Sequence, residues 1–512
     1  MTVRKMSGRS GVVLLAGLTC SCARVDHTAE FRQAAEQMKT ASGLETPWGD
    51  GAEPQDLTLD DGDVLPLDRA VVLALRNNRS LRADLETIAS AKADLVQAGL
   101  LSNPMLTLMA RFPEGGGRAS LDFGLSKDIA DLWLIPSRKR AAQRMLQRTI
   151  LSFTDSAVAL VNEVKTTYYT VGYQTTAIDL QNRNIRVLQE TVELAQARFR
   201  AGDTSQLDVN LTRSRLIEAQ LELLGLRTEY GTSQRTLLRM MGVAAFPGEW
   251  RFQPIEPPRL TAAEDESVVE NTALERRLDV QAAWWEVEAA AAEVEQQRLR
   301  LFPSLGLGLS ATRVERRAMP GRKLLADTAR ASAANGALTA PDIQSRAERR
   351  RERSQEIDAV LGPSIEVPLP IFDQNQAQVA KAQARARELR QRYEEIQQRV
   401  IEGVRTALYT YRLAQERVRV FKESLLPQQD ANLRFAEKSY QAGQENILTV
   451  LLAQEAMIRS QLSAAAAERD LAVSSANLER QLAGQIPDFL LQPTETASPS
   501  APPEGGEKKN DN

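Results

Sequence analysis

Cys20, Cys22 and His27 supply the only thiols and the only imidazole of this 512-residue chain. Such residues serve as nucleophiles, metal ligands or proton carriers, but their setting points to export. Arg4, Lys5 and Arg9 flank and precede an apolar run, Gly11 to Leu18, that is too short to span a bilayer. A lipoprotein signal places a small residue directly before the lipidated cysteine and a branched apolar residue three before it. Cys22 has Ser21 and Thr19 at those positions; Cys20 has Thr19 and Gly17. Cys22 is the better lipid acceptor and Cys20 the poorer. An ordinary cleaved signal with incidental cysteines is the other reading. With Cys22 as first mature residue, no disulfide forms.

The remaining chemistry-bearing residues assemble no catalytic set. Glu394-Glu395 sits on a long polar segment, where paired carboxylates are solvated. Gly115-Gly-Gly117 lies between two alternating segments and reads as a turn. There is no phosphate loop, metal-ligand cluster or nucleophile elbow. The expectation is no enzyme, no cofactor and no bound metal. With 64 basic against 67 acidic residues and a net charge of -3, nucleic acid is not an expected partner.

Aromatic residues make up only 5% of a chain rich in Ala, Leu, Gln, Glu and Arg, which favours long helices. Ser137 to Arg200 and Gln374 to Gln441 are almost free of Pro and Gly. At about 1.5 Å per residue each would extend on the order of 100 Å. The chain also repeats itself. At one constant offset Phe199 meets Tyr440, Ala201-Gly202 meets Ala442-Gly443, Leu207 meets Leu448 and Val209 meets Val450. At a smaller offset Ala74-Leu75 meets Ala273-Leu274 and Pro104 meets Pro303, so the second half carries an insertion. Both halves read as helix, strand, strand, long helix, Gly turn, helix. The return helices carry seven-residue columns, Val209, Leu216, Leu223, Tyr230, Leu237 and Val450, Met457, Ala464, Leu471, Leu478, expected to pack antiparallel helix pairs.

Four short segments alternate instead: 104–111, 119–129, 303–313 and 362–371. In the third, Leu305, Leu307 and Leu309 alternate with Ser304, Gly306, Gly308 and Ser310. In the fourth, Ile365, Val367 and Leu369 form the apolar set. This fits a transmembrane β-strand with lipid on one side and a wet lumen on the other. It fits equally a hairpin packed on one face. No segment reads as a transmembrane helix, so a crossing would have to use strands. Four strands cannot close a barrel and an open edge cannot sit in hydrocarbon; three chains would supply twelve. Phe302 before the third strand and Phe372 after the fourth suit an aromatic rim, with Trp133 as a counterpart in the first half.

Residues 68–484 resemble the TolC-type outer membrane efflux proteins. The likeness rests on Gly362-Pro-Ser-Ile-Glu-Val-Pro-Leu-Pro-Ile-Phe-Asp-Gln-Asn-Gln376, on Leu425-Leu-Pro427 followed by Tyr440-x-Ala-Gly443 and Leu448, and on Arg198-Phe-Arg-Ala-Gly202 with Leu207-Asp-Val209. The Pro-Leu-Pro-Ile-Phe-Asp-Gln-Asn-Gln run looks most like the heavy-metal cation branch. The resemblance implies a mixed α/β membrane protein of the bacterial outer membrane. It would be a homotrimer, with a twelve-stranded barrel among outer-membrane lipid and a coiled-coil helical tunnel crossing the periplasm. A periplasmic adaptor and an inner-membrane pump would load it. The turns at Gly202 and Gly443 correspond to periplasmic tips that meet the adaptor. Some members carry acidic rings beyond the tip; here those acids are missing or displaced to Glu455, and Asp208 in the first half and Leu452 are the other candidates for the aperture.

The expected division is an export signal over 1–22, a linker over 23–67 and a first repeat over 68–242. An equatorial segment over 243–265 leads to a second repeat over 266–484, with an extracellular insertion at 314–361. A tail over 485–512 is disordered after about 493. The function expected is a passive exit duct for metal cations or drugs. The alternatives are a duct for type I protein secretion and a periplasmic coiled-coil scaffold or adaptor without a barrel.

Overall fold

A computed structural model describes residues 25–46, 48, 64–112, 120–202, 204–243, 251–252, 266–301, 304–315, 357–445 and 447–486. The expectations for Cys20, Cys22, the export signal, Phe302, the C-terminal tail beyond 486 and the middle of the insertion lie outside the described residues.

In chain order the elements are α1 (Thr28–Ser42), β1 (Val64–Leu65), α2 (Leu67–Asn77), α3 (Arg79–Ala98), β2 (Met105–Arg111) and β3 (Ser120–Asp128). Then come α4 (Asp131–Ala201), α5 (Gln206–Met241), β4 (Arg251–Phe252), α6 (Glu266–Arg276), α7 (Leu278–Leu299), β5 (Gly306–Glu315) and β6 (Ile357–Glu366). The last are α8 (Gln376–Val420), a π turn (Phe421–Leu425), α9 (Leu426–Gln441) and α10 (Ile447–Gln481). Two compact units divide them. One takes Met1–Lys92, Leu146–Trp285 and Gln391–Asn512; the other takes Ala93–Met145 and Glu286–Arg390.

The first unit is helical. Val404, Leu408 and Tyr411 of α8 meet Val269 and Ala273 of α6 and Leu478 of α10 in one buried cluster. A smaller cluster joins Ile185 of α4 to Ala219 and Leu223 of α5. Of the two columns, Val209, Leu223, Leu237, Val450, Ala464 and Leu478 are buried and the other members are half-buried. β1 and β4 pair in parallel, and the buried Tyr168 hydroxyl donates to the Leu65 carbonyl at 2.6 Å. The π turn has a local cause. Pro427 offers no N–H to the carbonyl four residues earlier and its ring crowds that carbonyl. The helix widens by one residue, and the Leu426 N–H reaches the Phe421 carbonyl.

The second unit holds an antiparallel sheet in the order β2-β3-β5-β6. Residues directly opposite share a face. Leu108 faces Phe123, and Phe123 faces Ala311; Leu106 faces Leu125, and Leu125 faces Leu309; Leu307 faces Ile365. One side of the sheet is therefore apolar and exposed. The other carries Thr107, Asp122, Gly124, Ser126, Gly308, Ser310, Thr312 and Ser364, with Met105, Met109 and Val360 among them. Among the described residues nothing pairs with the outer edge of β2 or of β6.

The strand limits correct three expectations. β5 starts at Gly306, so Leu305 precedes it: its N–H reaches an Asp128 carboxylate oxygen at 3.1 Å and its carbonyl accepts from Ile129 N–H at 2.8 Å. β6 ends at Glu366, so Val367 and Leu369 fall outside it, although both are exposed. Pro368 and Pro370 have no N–H for a ladder, and the strand instead begins earlier, at Ile357. The connection is correspondingly shorter than 314–361, because Val314, Glu315 and Ile357–Leu361 are paired.

Candidate functional site: the helix tips and the groove behind them

Each long helix reverses at a glycine whose backbone is left-handed: φ is 84° at Gly202 and 72° at Gly443. A Cβ added at either meets no atom within 4 Å, so only the backbone excludes other residues. The two reversals are built differently. After Gly202, Ser205 caps α5: its hydroxyl accepts from Asp208 N–H at 3.2 Å, and an Asp208 carboxylate oxygen accepts from Ser205 N–H at 3.1 Å. This is a reciprocal capping box. The same carboxylate oxygen accepts from the Ser205 hydroxyl at 2.7 Å and the Thr204 hydroxyl at 2.9 Å. These bonds hold Asp208 below the usual carboxylate range, the Ser205 hydroxyl contributing most. After α9, Gly443 N–H bonds Tyr440 O at 3.0 Å and Gln444 N–H bonds Ser439 O at 2.9 Å, a Schellman closure. The Arg198 guanidinium of the first tip lies 4.4 Å from the centre of the Tyr440 ring of the second.

Behind the tips α4, α5 and α10 enclose a groove of about 260 Å³, with Asp208, Leu452 and Glu455 all in its wall. The three aperture residues named from sequence are thus brought together. Leu211, Leu448, Leu451 and Ile458 make its apolar part. Leu452 is half exposed. Glu455 is not a bare carboxylate. One oxygen lies 3.0 Å from Arg215 of α5 and the other 2.6 Å from Arg459, one turn along α10. Arg215 also lies 4.0 Å from Glu218 on its own helix, so two guanidiniums face two carboxylates in this part of the wall. The sequence reading missed both arginines. Arg459 was readable as an i,i+4 pair, whereas Arg215 lies in the other half of the chain.

A second polar knot, in the other unit, was also missed. Asp131 at the start of α4 accepts from Ser102 N–H at 2.7 Å and from Arg138 at 2.5 Å. Chiefly through Ser102, its pKa falls to about 2. In the second half the Asp-Gln-Asn run does the comparable work. Asn375, at φ 61°, donates to the Gln297 carbonyl at 2.6 Å, tying the start of α8 to the end of α7; asparagine tolerates that conformation. Of the rim aromatics, Phe372 is almost fully exposed and Trp133 is half-buried in α4.

A sequence profile for outer membrane efflux proteins matches residues 70–243 and 269–484. The pyoverdine export outer membrane protein OpmQ of Pseudomonas putida is 25% identical over 442 residues, which is 82% of this chain and 86% of OpmQ. The cobalt-zinc-cadmium resistance protein CzcC of Cupriavidus metallidurans is 22% identical over 414 residues, 78% of this chain and 85% of CzcC. Among solved structures, CusC superposes with a TM-score of 0.64 at 17% identity, covering 87% of this chain and 99% of CusC. VceC of Vibrio cholerae, an outer membrane protein, gives 0.60 at 19%, covering 82% and 96%.

Proposed function

Because the chain belongs to the outer membrane efflux protein family, we propose that it is the exit duct of a tripartite efflux system. In this reading three copies close a twelve-stranded barrel and no bond of the cargo is made or broken. The observation that carries the proposal is the four-stranded sheet: one exposed, mainly apolar face, a second face of mixed and mostly polar residues, and two edges unpaired among the described residues. A barrel closed by symmetry satisfies all three, since it buries the edges, gives the apolar face to lipid and the polar face to water. A periplasmic scaffold would leave that face uncovered in water. The relatives' names cover a siderophore and divalent metals, as expected if cargo is set by the pump that loads a passive duct. Metal cations or drugs are the cargo proposed here, an adaptor and an inner-membrane pump the partners. A lipid on Cys22 would add an anchor to a barrel that holds by itself.

The test is to purify the protein from outer membranes and to compare a deletion strain with its complemented form. A heat-dissociable trimer is expected, with sensitivity to cobalt, zinc and cadmium ions or to lipophilic drugs that re-expression reverses. A monomer extracted without detergent, with no change in sensitivity, would overturn the reading.

A further inference from the structure

The groove behind the tips has one end that the Arg215–Glu455 pair leaves uncompensated. α5 and α10 both lead away from the tips, and that pair sets their register. Glu218 and Glu222 follow Arg215 by one and two turns, and Ile458 and Leu462 follow Glu455 by the same steps. An acidic wall and an apolar wall therefore stand level with each other, and Leu188 of α4 adds to the apolar lining. Of the four carboxylates in the groove, Glu455 is held by two guanidiniums and Asp208 by its capping box. Glu218 has Arg215 only at 4.0 Å, because that guanidinium lies nearer Glu455. Glu222 is met by an amide and, among the described residues, by no cation. The amide belongs to Gln181 of α4, which is fully buried. Its nitrogen donates to the Ala219 carbonyl at 2.9 Å and to Glu222 at 3.1 Å, and its oxygen has no hydrogen-bond partner among the described residues. A buried acceptor without a donor is costly to keep.

We propose that this end of the groove binds a small molecule with a primary ammonium on an apolar body. The ammonium donates to the Gln181 amide oxygen and to the Glu218 and Glu222 carboxylates, and the body lies on Leu188, Ile458 and Leu462. Three hydrogens thus meet three acceptors, and the two carboxylates supply the opposite charge. Other occupants fit less well. A water molecule satisfies the amide oxygen but gains nothing from three apolar side chains. A hard divalent ion needs six or more oxygen ligands, and the α10 wall here offers none. An anion is repelled by both glutamates, and a quaternary ammonium has no hydrogen to give Gln181. The claim contains no export step, so it stands or falls separately from the duct reading.

The experiment titrates the purified full-length protein with 4-phenylbutylammonium, its trimethylammonium analogue and 4-phenylbutyrate, and reads affinity by calorimetry. These probes share one apolar body and differ only in the head. The primary ammonium is expected to bind about tenfold more tightly than the trimethyl form, and the carboxylate not to bind. Glu222→Gln changes an exposed side chain and is expected to weaken the primary ammonium about tenfold. Gln181→Met removes the buried acceptor and is expected to narrow the gap between primary and trimethyl heads. Should that variant fail to fold, Glu222→Gln and the three heads on the wild type still decide. Equal affinity for ammonium and carboxylate, equal affinity for the primary and trimethyl heads, or an affinity unchanged in Glu222→Gln overturns the site. The extraction state is scored on the same samples. A chain that needs no detergent sinks the barrel and leaves the titration readable, whereas a detergent-extracted trimer without head preference sinks this site alone.

Discussion

Arg215 on α5 and Glu455 on α10 meet at 3.0 Å, joining the return helices of the two halves of the chain next to Leu452. The pair is partly exposed, so it adds little to folding, about 0.2–1 kcal/mol. Its consequence is positional, because it fixes α10 against α5 where the groove wall carries Leu452. Glu455→Gln should leave trimer stability within about 1 kcal/mol of wild type while raising uptake of a large antibiotic through the resting duct. Leu452→Ser should do the same by removing bulk. Unchanged uptake in both, at normal protein level, would take this wall out of the resting barrier.

The sheet makes a prediction that compares two faces at one depth. Leu309 and Ser310 are neighbours on β5, opposite Leu125 and Gly124 respectively. Leu309→Arg should impair membrane assembly, at about 2–4 kcal/mol near mid-bilayer, and Ser310→Arg should assemble. Val367→Arg should be milder than Leu309→Arg, since Val367 lies past the end of β6. Heat-dissociable trimer in outer-membrane fractions is the readout. Equal assembly of the Leu309 and Ser310 variants would argue against lipid on the apolar side.

Much of this was legible in the chain, and the exceptions have physical causes. Alternation exposed the faces of β2, β3, β5 and β6 because side-chain direction has a period of two. It did not fix where strands stop. Val367 and Leu369 keep the alternating pattern, yet Pro368 and Pro370 cannot donate to a ladder. Leu305 keeps it too, but its backbone is taken by Asp128 and Ile129. The left-handed tips were readable from Gly202 and Gly443; the capping box of Ser205 and Asp208 was not, since its third helical position holds Asp in place of the usual Glu or Gln. The Arg215–Glu455 pair was not, because heptad columns identify the packed face of a helix and not the partner of each residue flanking it.

Asp131 offers a pH-dependent prediction. Its side chain is 9% exposed, and its pKa falls to about 2 from an ordinary 3.8, chiefly through Ser102. A folded-state pKa below the unfolded one means stability that is present above about pH 4 and is lost as pH falls toward 2. Asp131→Asn should remove that part of the acid sensitivity, and the wild-type excess is on the order of 1 kcal/mol once solvent screening is allowed for. Acid titration of trimer unfolding checks it. Parallel curves for the two proteins across that window would show that Asp131 contributes nothing there.

Gly443 separates a turn from a docking edge. Its φ of 72° belongs to the left-handed region, and no atom lies within 4 Å of the Cβ it lacks. A substitution there meets no obstacle; it pays only the backbone cost, about 1–2 kcal/mol for an L-residue and more for a β-branched one. Asparagine adopts this conformation readily. Gly443→Asn should therefore keep the Schellman closure to Tyr440 and Ser439, and Gly443→Val should distort it without touching the buried clusters of α4, α5, α8 and α10. If the tips are edges on which the adaptor seats, Gly443→Val should lose export and adaptor cross-linking while its trimer still reaches the outer membrane, with Gly443→Asn close to wild type. Export surviving in Gly443→Val, at normal trimer level, would reduce the glycine to a helix stop.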